Sequence, residues 1–198
     1  FHDGDFNMSA TVKAYYALKL IGDDLEAPHM AKARAAVLAR GGAAQANVFT
    51  RIALALFEQV PWRAVPVIRP EAILLPTWAP FHIDKVAYWS RTVMIPLFVL
   101  AALKPKAKNP RGTGIRELFA GDPFLQTEFT ENPTGHILGN VFLALDKAAR
   151  LVQPMIPKWL EKKAIDKCMA FVKDRLNGED GLGGIFPAMA NTVMAYDV

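Results

Sequence analysis

Apolar residues recur every three or four positions along most of this chain, and that spacing predicts amphipathic α-helices. The first three predicted helices begin at residues that favour a helix N-terminus, namely Asn7 or Ser9, Pro28 and Asn47. Glycines end the first two helices, at Gly22 and at the Gly41-Gly42 pair. The third helix runs to Phe57, and its predicted inward face consists of Phe49, Ile52, Ala53 and Leu56.

Residues 80–104 predict one long helix that is apolar nearly all round. Asp84 is its expected N-cap and Lys104 closes its last turn. A helix of this kind is either buried in a large core or in contact with lipid. Arg91 and Pro96 favour a buried, kinked helix over a membrane span. We therefore expect a central helix around which shorter helices pack.

The rest of the chain also reads as helices and connectors. Residues 60–70 form a proline-rich connector, a short helix follows at residues 70–75, and residues 105–134 are loop-like apart from a turn near residues 115–119. Further helices are predicted at residues 140–151 and 158–176, and Pro187 opens the last one after a glycine-rich turn. With no strand predicted, the fold is all-α: a bundle, an α-solenoid or an α/α-barrel.

Composition narrows the classes of function. Apolar residues make up 52% of the 198 residues, and 23 basic against 19 acidic residues give a net charge of +4. The basic residues are scattered, which argues against nucleic-acid binding and suits the surface of an anionic membrane better. Cys168 is the single cysteine, so neither a disulfide nor a cysteine zinc site is expected. The chain begins at Phe1 and stops within a helical pattern at Val198, so we expect a longer protein.

Motifs of catalysis are mostly absent. The sequence contains no H-E-x-x-H, G-x-S-x-G or P-loop motif, and its four histidines are far apart. The notable feature is its aromatic content. Aromatic side chains usually pack in a core, but they can also wall a cavity and stabilise a cation through their π faces.

Several motifs resemble bacterial squalene–hopene cyclases. They are V-F-T-R at residues 48–51, V-P-W at 60–62, P-E-A-I-L-L at 70–75, Y-W-S-R-T at 88–92 and G-G-I-F-P at 183–187. The resemblance covers almost the whole chain in the same order. It implies an incomplete α/α-barrel of helical hairpins, the terpenoid-cyclase type of fold, with residues 1–198 forming most of the inserted barrel domain.

The resemblance also implies an activity. Squalene–hopene cyclases protonate squalene with an Asp-x-Asp-Asp motif and cyclise it to hopene or hopanol in hopanoid biosynthesis, without a cofactor or a metal. That motif does not occur in this sequence. We therefore expect the catalytic acid beyond Val198 and no catalysis by this fragment alone.

Site residues follow from the same resemblance. Phe49 and Trp89 would face the polyene, and Ile185, Phe186 and Pro187 would form a loop near the end of the cyclisation cascade. Val86 and Met94 would line the narrow part of the substrate channel. The spacing of Val86 and Trp89 allows one helix to direct both to the same side, whereas Met94 fits that side less well. Phe186 stands where some relatives have glutamine, which puts termination by water in doubt.

The implied partners are squalene, a membrane lipid surface and a second copy of the chain in a homodimer, but not nucleic acid. The implied location is the cytoplasmic face of the inner membrane, as a monotopic or peripheral protein. Residues 140–160 are the candidate membrane segment, because they combine apolar residues with Lys147, Lys158 and an interfacial Trp159. The apolar residues are Val141, Phe142, Leu145, Val152, Met155 and Ile156.

One copy of the family's repeat is degenerate here. Leu176 and Leu182 stand where the repeat has glutamine and tryptophan, so looser packing is expected around them. Two other functions stay open from the residues alone: a non-enzymatic α-solenoid that binds a protein partner, and a prenyltransferase-like α/α-barrel, which would need zinc ligands.

Overall fold

The computed structural model describes residues 4–79, 82–127, 129, 137–176, 178 and 181–198, without the side chains of residues 137, 138 and 142. The chain divides into two compact units. Unit 1 comprises Phe1–Pro66 and Lys106–Leu143, and unit 2 comprises Val67–Pro105 and Ala144–Val198. None of the described residues forms a β-strand, so the predicted all-α class is confirmed.

Seven α-helices lie within the described residues. They are α1 Met8–Ile21, α2 Pro28–Leu38, α3 Val48–Leu56, α4 Tyr88–Leu103, α5 Ile137–Val152, α6 Lys158–Lys173 and α7 Phe186–Tyr196. Short 3₁₀ turns separate many of them, at Ala43–Gln45, Trp62–Ala64, Pro70–Leu74, Ile83–Lys85, Arg116–Leu118, Gln153–Met155 and Gly181–Gly184. The described part of the loop-like region from residue 105 contains no α-helix and a single 3₁₀ turn, Arg116–Leu118, in agreement with the prediction.

The predicted starts of α1 and α3 and the predicted end of α1 are confirmed, whereas α2 ends at Leu38, before the Gly41-Gly42 pair. The Asn7 side chain accepts a hydrogen bond from the N–H of Ala10 at 2.9 Å, and the Asn47 side chain accepts one from Thr50 at the same distance. Each bond satisfies an N–H group that has no partner within the helix. At the C-terminus of α1, Gly22 adopts a φ of 103°, which a residue with a side chain rarely adopts.

The predicted inward face of α3 is partly wrong. Ile52 and Leu56 are buried, but Phe49 is 60% exposed. The helix instead buries polar residues beside the apolar ones: Thr50 is fully covered, and the covered Arg51 guanidinium donates to the carbonyl of Phe129. Apolar periodicity cannot identify a buried face that contains arginine.

Unit 1 is built where α1 packs against α2 and α3. Its polar contacts centre on Glu117, which accepts hydrogen bonds from Tyr15 at 3.0 Å and from Lys19 at 2.5 Å. Burial alone would raise the pKa of Glu117, but these hydrogen bonds, led by the one from Lys19, together lower it. Burial, followed by the bond to Glu117, raises the pKa of Tyr15 to about 12. The pair of contacts fixes the loop around residue 117 to α1.

Unit 2 is organised around α4, which contacts α6, α7 and the 3₁₀ turn at Pro70–Leu74. Ile95 and Leu100 on α4 are fully buried, and Pro96 lies inside the helix as predicted. The central position expected of this helix therefore holds within unit 2. Arg69 adds a polar link, because its guanidinium pairs with Glu71 at 2.6 Å and with Glu161 of α6 at 2.8 Å.

The predicted start of α4 is wrong. The helix begins at Tyr88 and not near Asp84, because Val86 and Ala87 are extended, with ψ of 140° and 145°. Asp84 belongs to a separate 3₁₀ turn, where its N–H donates to Nδ1 of His82 at 3.1 Å. Its carboxylate accepts from Arg91 at 2.9 Å instead of capping the helix. Lys104 ends α4 in the left-handed conformation, as expected of the closing residue.

Candidate functional site

The first turn of α4 presents two aromatic residues to the outside of unit 2. Trp89 is 62% exposed, and Tyr88 beside it is also exposed. The hydroxyl of Thr92 donates to the carbonyl of Trp89 at 2.8 Å, while Thr92 itself is buried. A buried anchor therefore fixes the backbone of Trp89, and the indole ring remains uncovered within unit 2.

The two predicted channel residues flank this aromatic pair differently. Val86 is half-buried in the extended segment before α4, so the expectation that it shares a helix face with Trp89 is wrong. Met94 is half-buried on α4 itself. It lies five residues after Trp89, about 140° around the helix at 3.6 residues per turn. Trp89 and Met94 therefore lie on different sides of α4.

The predicted loop at residues 185–187 forms the start of α7. Ile185 is the N-cap and is half-buried, Phe186 is 76% exposed, and Pro187 occupies the first turn, where a missing N–H costs nothing. Before it, Leu182 is buried with a φ of 58°. This leucine therefore packs into unit 2, against the expectation of looser packing at the degenerate repeat, whereas Leu176, the other substituted residue, is 49% exposed.

Two contacts define the direction of α7 along α4. Before α7, the N–H of Leu182 donates to the carbonyl of Arg175 at 3.0 Å, and the Arg175 guanidinium carbon lies 5.8 Å from the centre of the Tyr88 ring. Farther along, Nδ2 of Asn191 donates to the carbonyl of Val93 at 3.5 Å. The two helices therefore run in the same direction, with their N-termini at one end of unit 2.

This arrangement brings Trp89 and Phe186 to the same end of the helix pair. Trp89 precedes Val93 by four residues, and Phe186 precedes Asn191 by five. At a rise of about 1.5 Å per residue, the backbones of the two residues lie roughly 6–7.5 Å before the contact between the helices, measured along each helix. Phe49, the third predicted aromatic residue, is exposed in the first turn of α3, in unit 1.

Two guanidinium groups, those of Arg91 and Arg175, lie beside the Tyr88 ring. Arg175 stacks on Phe171, with 3.5 Å from its central carbon to the ring centre, and Arg91 lies 6.0 Å from the ring centre of Tyr88. Asp84 pairs with Arg91 and offsets one of these charges. These contacts hold Tyr88 in place and leave Trp89 as the neighbouring aromatic residue without a cationic neighbour in the described structure.

A separate cavity of about 520 Å³ opens in unit 2 beside α6. Its lining includes His82, Asp84, Lys167, Asp174 and Arg175, and none of the seven residues predicted to contact hydrocarbon. The other walls are largely apolar and include Ile73, Leu75, Ile83 and Phe171, so the cavity combines charged and apolar surface. No pattern in the sequence predicts this cavity, because its walls come from segments about 90 residues apart.

The described residues offer little other reactive chemistry. Burial raises the pKa of the Cys168 thiol to about 12, so this side chain stays protonated at neutral pH and is a poor nucleophile. No group of three or more His, Cys, Asp or Glu residues in the described part of the chain is arranged to hold a metal ion.

The predicted membrane segment carries exposed apolar residues. In the part that belongs to unit 2, Leu145, Leu151, Val152, Met155 and Trp159 are exposed, and Ile156 is half-buried. Lys147 and Lys158 are exposed in the same segment, and Val141 is exposed in unit 1. The side chain of Phe142 lies outside the described residues. Within the described structure, each helix is too short or too polar to cross a bilayer.

Comparison with known proteins gives a consistent result. Residues 1–198 match the family model described as squalene-hopene cyclase N-terminal domain. The chain is 56% identical over 197 residues to a squalene–hopene cyclase of Bradyrhizobium diazoefficiens, an alignment that covers 99% of this chain and 30% of the relative. It is 54% identical over 197 residues to the squalene–hopene cyclase of Zymomonas mobilis, with 100% and 30% covered. The squalene-hopene cyclase of Schizosaccharomyces japonicus is 46% identical over 196 residues, with 99% and 30% covered. The chain thus spans about 30% of the length of these relatives.

Proposed function

We propose that this chain is part of an enzyme that cyclises squalene to hopene or hopanol, because it belongs to the squalene-hopene cyclase N-terminal domain family. The observation that carries the proposal is the match of residues 1–198 to that family. The alternative of a non-enzymatic α-solenoid finds no support in the comparisons or in the described part of the structure.

The geometry of unit 2 supports a role in binding the hydrocarbon. Trp89 and Phe186 are large, exposed aromatic residues at one end of the parallel pair α4 and α7. A squalene chain offers no polar group, so its recognition depends on burying apolar surface, and the carbocation formed during cyclisation is attracted by aromatic faces. Ile185 and Pro187 extend this apolar surface, and Phe49, in unit 1, stays a predicted contact of the polyene.

This chain and the rest of the protein contribute different groups to the reaction. The chain supplies aromatic groups that stabilise positive charge and apolar groups that hold the substrate in a folded conformation, which lowers the entropic cost of cyclisation. Val86 and Met94 line the channel that leads the substrate in. The proton that starts the reaction comes from an Asp-x-Asp-Asp motif outside residues 1–198.

The decisive test uses the full-length protein in detergent with squalene as the only added substrate. Hexane extracts analysed by gas chromatography with mass spectrometry are expected to contain hopene or hopanol without any added metal or cofactor. Squalene recovered unchanged by a folded, full-length protein would refute the proposed function.

Membrane contact through residues 140–160 is part of the same proposal. Exposed Leu151 and Met155 supply apolar surface, and Lys147, Lys158 and Trp159 suit an anionic interface, as expected for a protein on the cytoplasmic face of the inner membrane. A water-insoluble substrate also has to be taken from lipid.

Vesicle flotation tests this contact. In the full-length protein, replacing Leu151 and Met155 together with Glu should reduce binding to phosphatidylglycerol vesicles at least tenfold. Ile21→Glu is a matched control, because Ile21 is equally exposed but lies at the end of α1. Equal binding by all three proteins would assign the membrane contact to another surface. A homodimer stays a prediction, tested by the molecular mass of the protein–detergent complex.

A further inference from the structure

One cavity of unit 2 has no role in the proposed function. Its volume of about 520 Å³ lies within the range of about 300–1,000 Å³ that is common for small-molecule sites. Ile73 and Asp84, from the connector before α4, lie on one wall, and the C-terminal half of α6 from Lys167 to Arg175 forms the other. Lys167 joins the two walls, because its Nζ donates to the carbonyl of Ile73 at 3.0 Å. The cavity is therefore built within one compact unit.

The inner part of the cavity is mainly apolar. Ile73 and Ile83 are buried there, and Phe171 is half-buried. His82 is a buried polar lining residue, but its Nδ1 already accepts a hydrogen bond from the N–H of Asp84 at 3.1 Å. A ligand that enters this part is stabilised mainly by the removal of apolar surface from water.

The rim of the cavity carries more positive than negative charge. Lys167, Asp84 and Asp174 are exposed lining residues, and Arg175 is a half-buried one. The carboxylate of Asp84 pairs with Arg91 at 2.9 Å, which offsets its charge. Two cations, Lys167 and Arg175, then face one carboxylate, that of Asp174. The rim therefore favours an anion over a cation.

Both rim cations donate hydrogen bonds to neutral oxygens. Nζ of Lys167 uses one N–H on the carbonyl of Ile73, and Nη1 of Arg175 donates to the carbonyl of Phe171 at 2.8 Å. Nε of Arg175 is buried without an acceptor in the part of the chain that the structure describes. Carboxylate and phosphate oxygens form stronger hydrogen bonds with such cations than neutral acceptors do. The rim is thus suited to the anionic head of a ligand.

We propose that this cavity binds an anionic amphiphile, a molecule that joins a carboxylate or phosphate head to an apolar chain. The chain lies against Ile73, Ile83 and Phe171, and the head lies between Lys167 and Arg175 at the rim. Squalene has no head for the rim, and a free anion has no chain for the inner part. The proposal does not depend on cyclase activity.

Photo-crosslinking of the full-length protein in maltoside detergent tests the proposal. The probe is dodecanoate with a diazirine on its chain, and peptide mass spectrometry locates the adducts. We expect adducts within residues 70–76 and 167–175. Excess dodecanoate or dodecyl phosphate should reduce them at least tenfold, whereas dodecylammonium, inorganic phosphate or squalene should reduce them less than twofold. Competition by phosphatidylglycerol vesicles would identify the natural ligand as a membrane phospholipid, and its absence would identify a free single-chain lipid.

Variants of α6 test the two parts of the cavity separately. Lys167→Met removes the rim charge but keeps an apolar stem, and should lower the labelling at least fivefold, whereas Lys167→Arg should retain it. Lys163→Met is the matched control, because Lys163 is exposed on the same helix but does not line the cavity. Ala170→Trp fills the cavity from an exposed lining position and should lower the labelling at least tenfold. Melting temperatures verify that all four variants fold.

Three results would overturn the proposal. The first is that all adducts lie outside the two walls. The second is that folded Lys167→Met and Ala170→Trp variants are labelled like the wild type. The third is that dodecylammonium, inorganic phosphate or squalene competes as well as dodecanoate, because the site would then not recognise an anionic head together with a chain. A failed squalene assay would leave these results unaffected.

Discussion

Replacing Trp89 with Ala in the full-length protein removes an aromatic face and little else. If the indole ring stabilises a carbocation in a water-free site, its loss costs about 2 kcal/mol, which corresponds to a roughly 30-fold lower kcat/KM. Trp89→Phe retains a π face and should lose less than tenfold. The Ala variant should also release incompletely cyclised products, because an intermediate cation is no longer stabilised.

The effect on stability has to be separated from the effect on catalysis. Because Trp89 is 62% exposed in unit 2, it buries only about 80 Å² of apolar surface there, worth at most about 2 kcal/mol of folding free energy. Trp78→Ala is the matched control: Trp78 is 79% exposed in the same unit and is not among the predicted site residues. Both Ala variants should remain folded at the assay temperature, as judged by their melting temperatures.

The assay measures squalene consumption and the product spectrum by gas chromatography with mass spectrometry. The reasoning predicts a large loss for Trp89→Ala, a smaller one for Trp89→Phe and wild-type behaviour for Trp78→Ala. If Trp89→Ala kept both the wild-type rate and the wild-type products while folded, Trp89 would not contact the reacting hydrocarbon.

Three further predictions concern other parts of the chain, all in the full-length protein. Gly42→Ala should destabilise unit 1 by about 2 kcal/mol or more, because Gly42 has a φ of 84° and an added Cβ would lie 2.9 Å from the carbonyl oxygen of Leu118. Gly112→Ala is the control, because Gly112 also has a positive φ but has open space around it. The control should cost only about 1 kcal/mol of folding free energy in a thermal melt. Glu117→Gln should lower the melting temperature at pH 7. Since the folded-state pKa of Glu117 is lowered below 4.5, the higher melting temperature of the wild type should be fully present above pH 4.5 and should decline as the pH falls through that pKa. A difference in melting temperature that does not depend on pH would contradict this assignment. Phe186→Gln should raise the ratio of hopanol to hopene, since an amide can hold a water near the final cation, and an unchanged ratio would place Phe186 away from the terminating end.

The sequence was most informative where a local signal decides the structure. Asn7 and Asn47 each satisfy a free N–H at a helix start, and Gly22 adopts the left-handed conformation that ends α1. These interactions span only three to five residues, so spacing alone reveals them. Pro28 and Pro187 likewise start helices because proline tolerates the first turn.

The start of α4 shows where local signals fail. Asp84 is a good N-cap residue, but its carboxylate pairs with Arg91, and the extended backbone of Val86 and Ala87 delays the helix until Tyr88. The choice between a helix cap and an ion pair depends on tertiary contacts. No periodicity in the sequence distinguishes these two outcomes.

Sequence patterns also could not predict that α4 packs against α7. This packing depends on Leu182 bonding to Arg175, on Arg175 lying over Tyr88, and on Asn191 reaching Val93, contacts that join residues up to 98 positions apart. The resemblance named Trp89 and Phe186 separately as site residues. The structure adds that both lie at one end of the same helix pair in unit 2.

The most direct test of the central claim is photo-crosslinking of the full-length enzyme with a squalene analogue that carries a diazirine. If the first turn of α4 and the start of α7 form part of the wall around the hydrocarbon, peptide mapping should find adducts at Trp89 and within residues 185–187, and excess squalene should suppress them. Adducts confined to other parts of the polypeptide, with none on these two segments, would contradict the account.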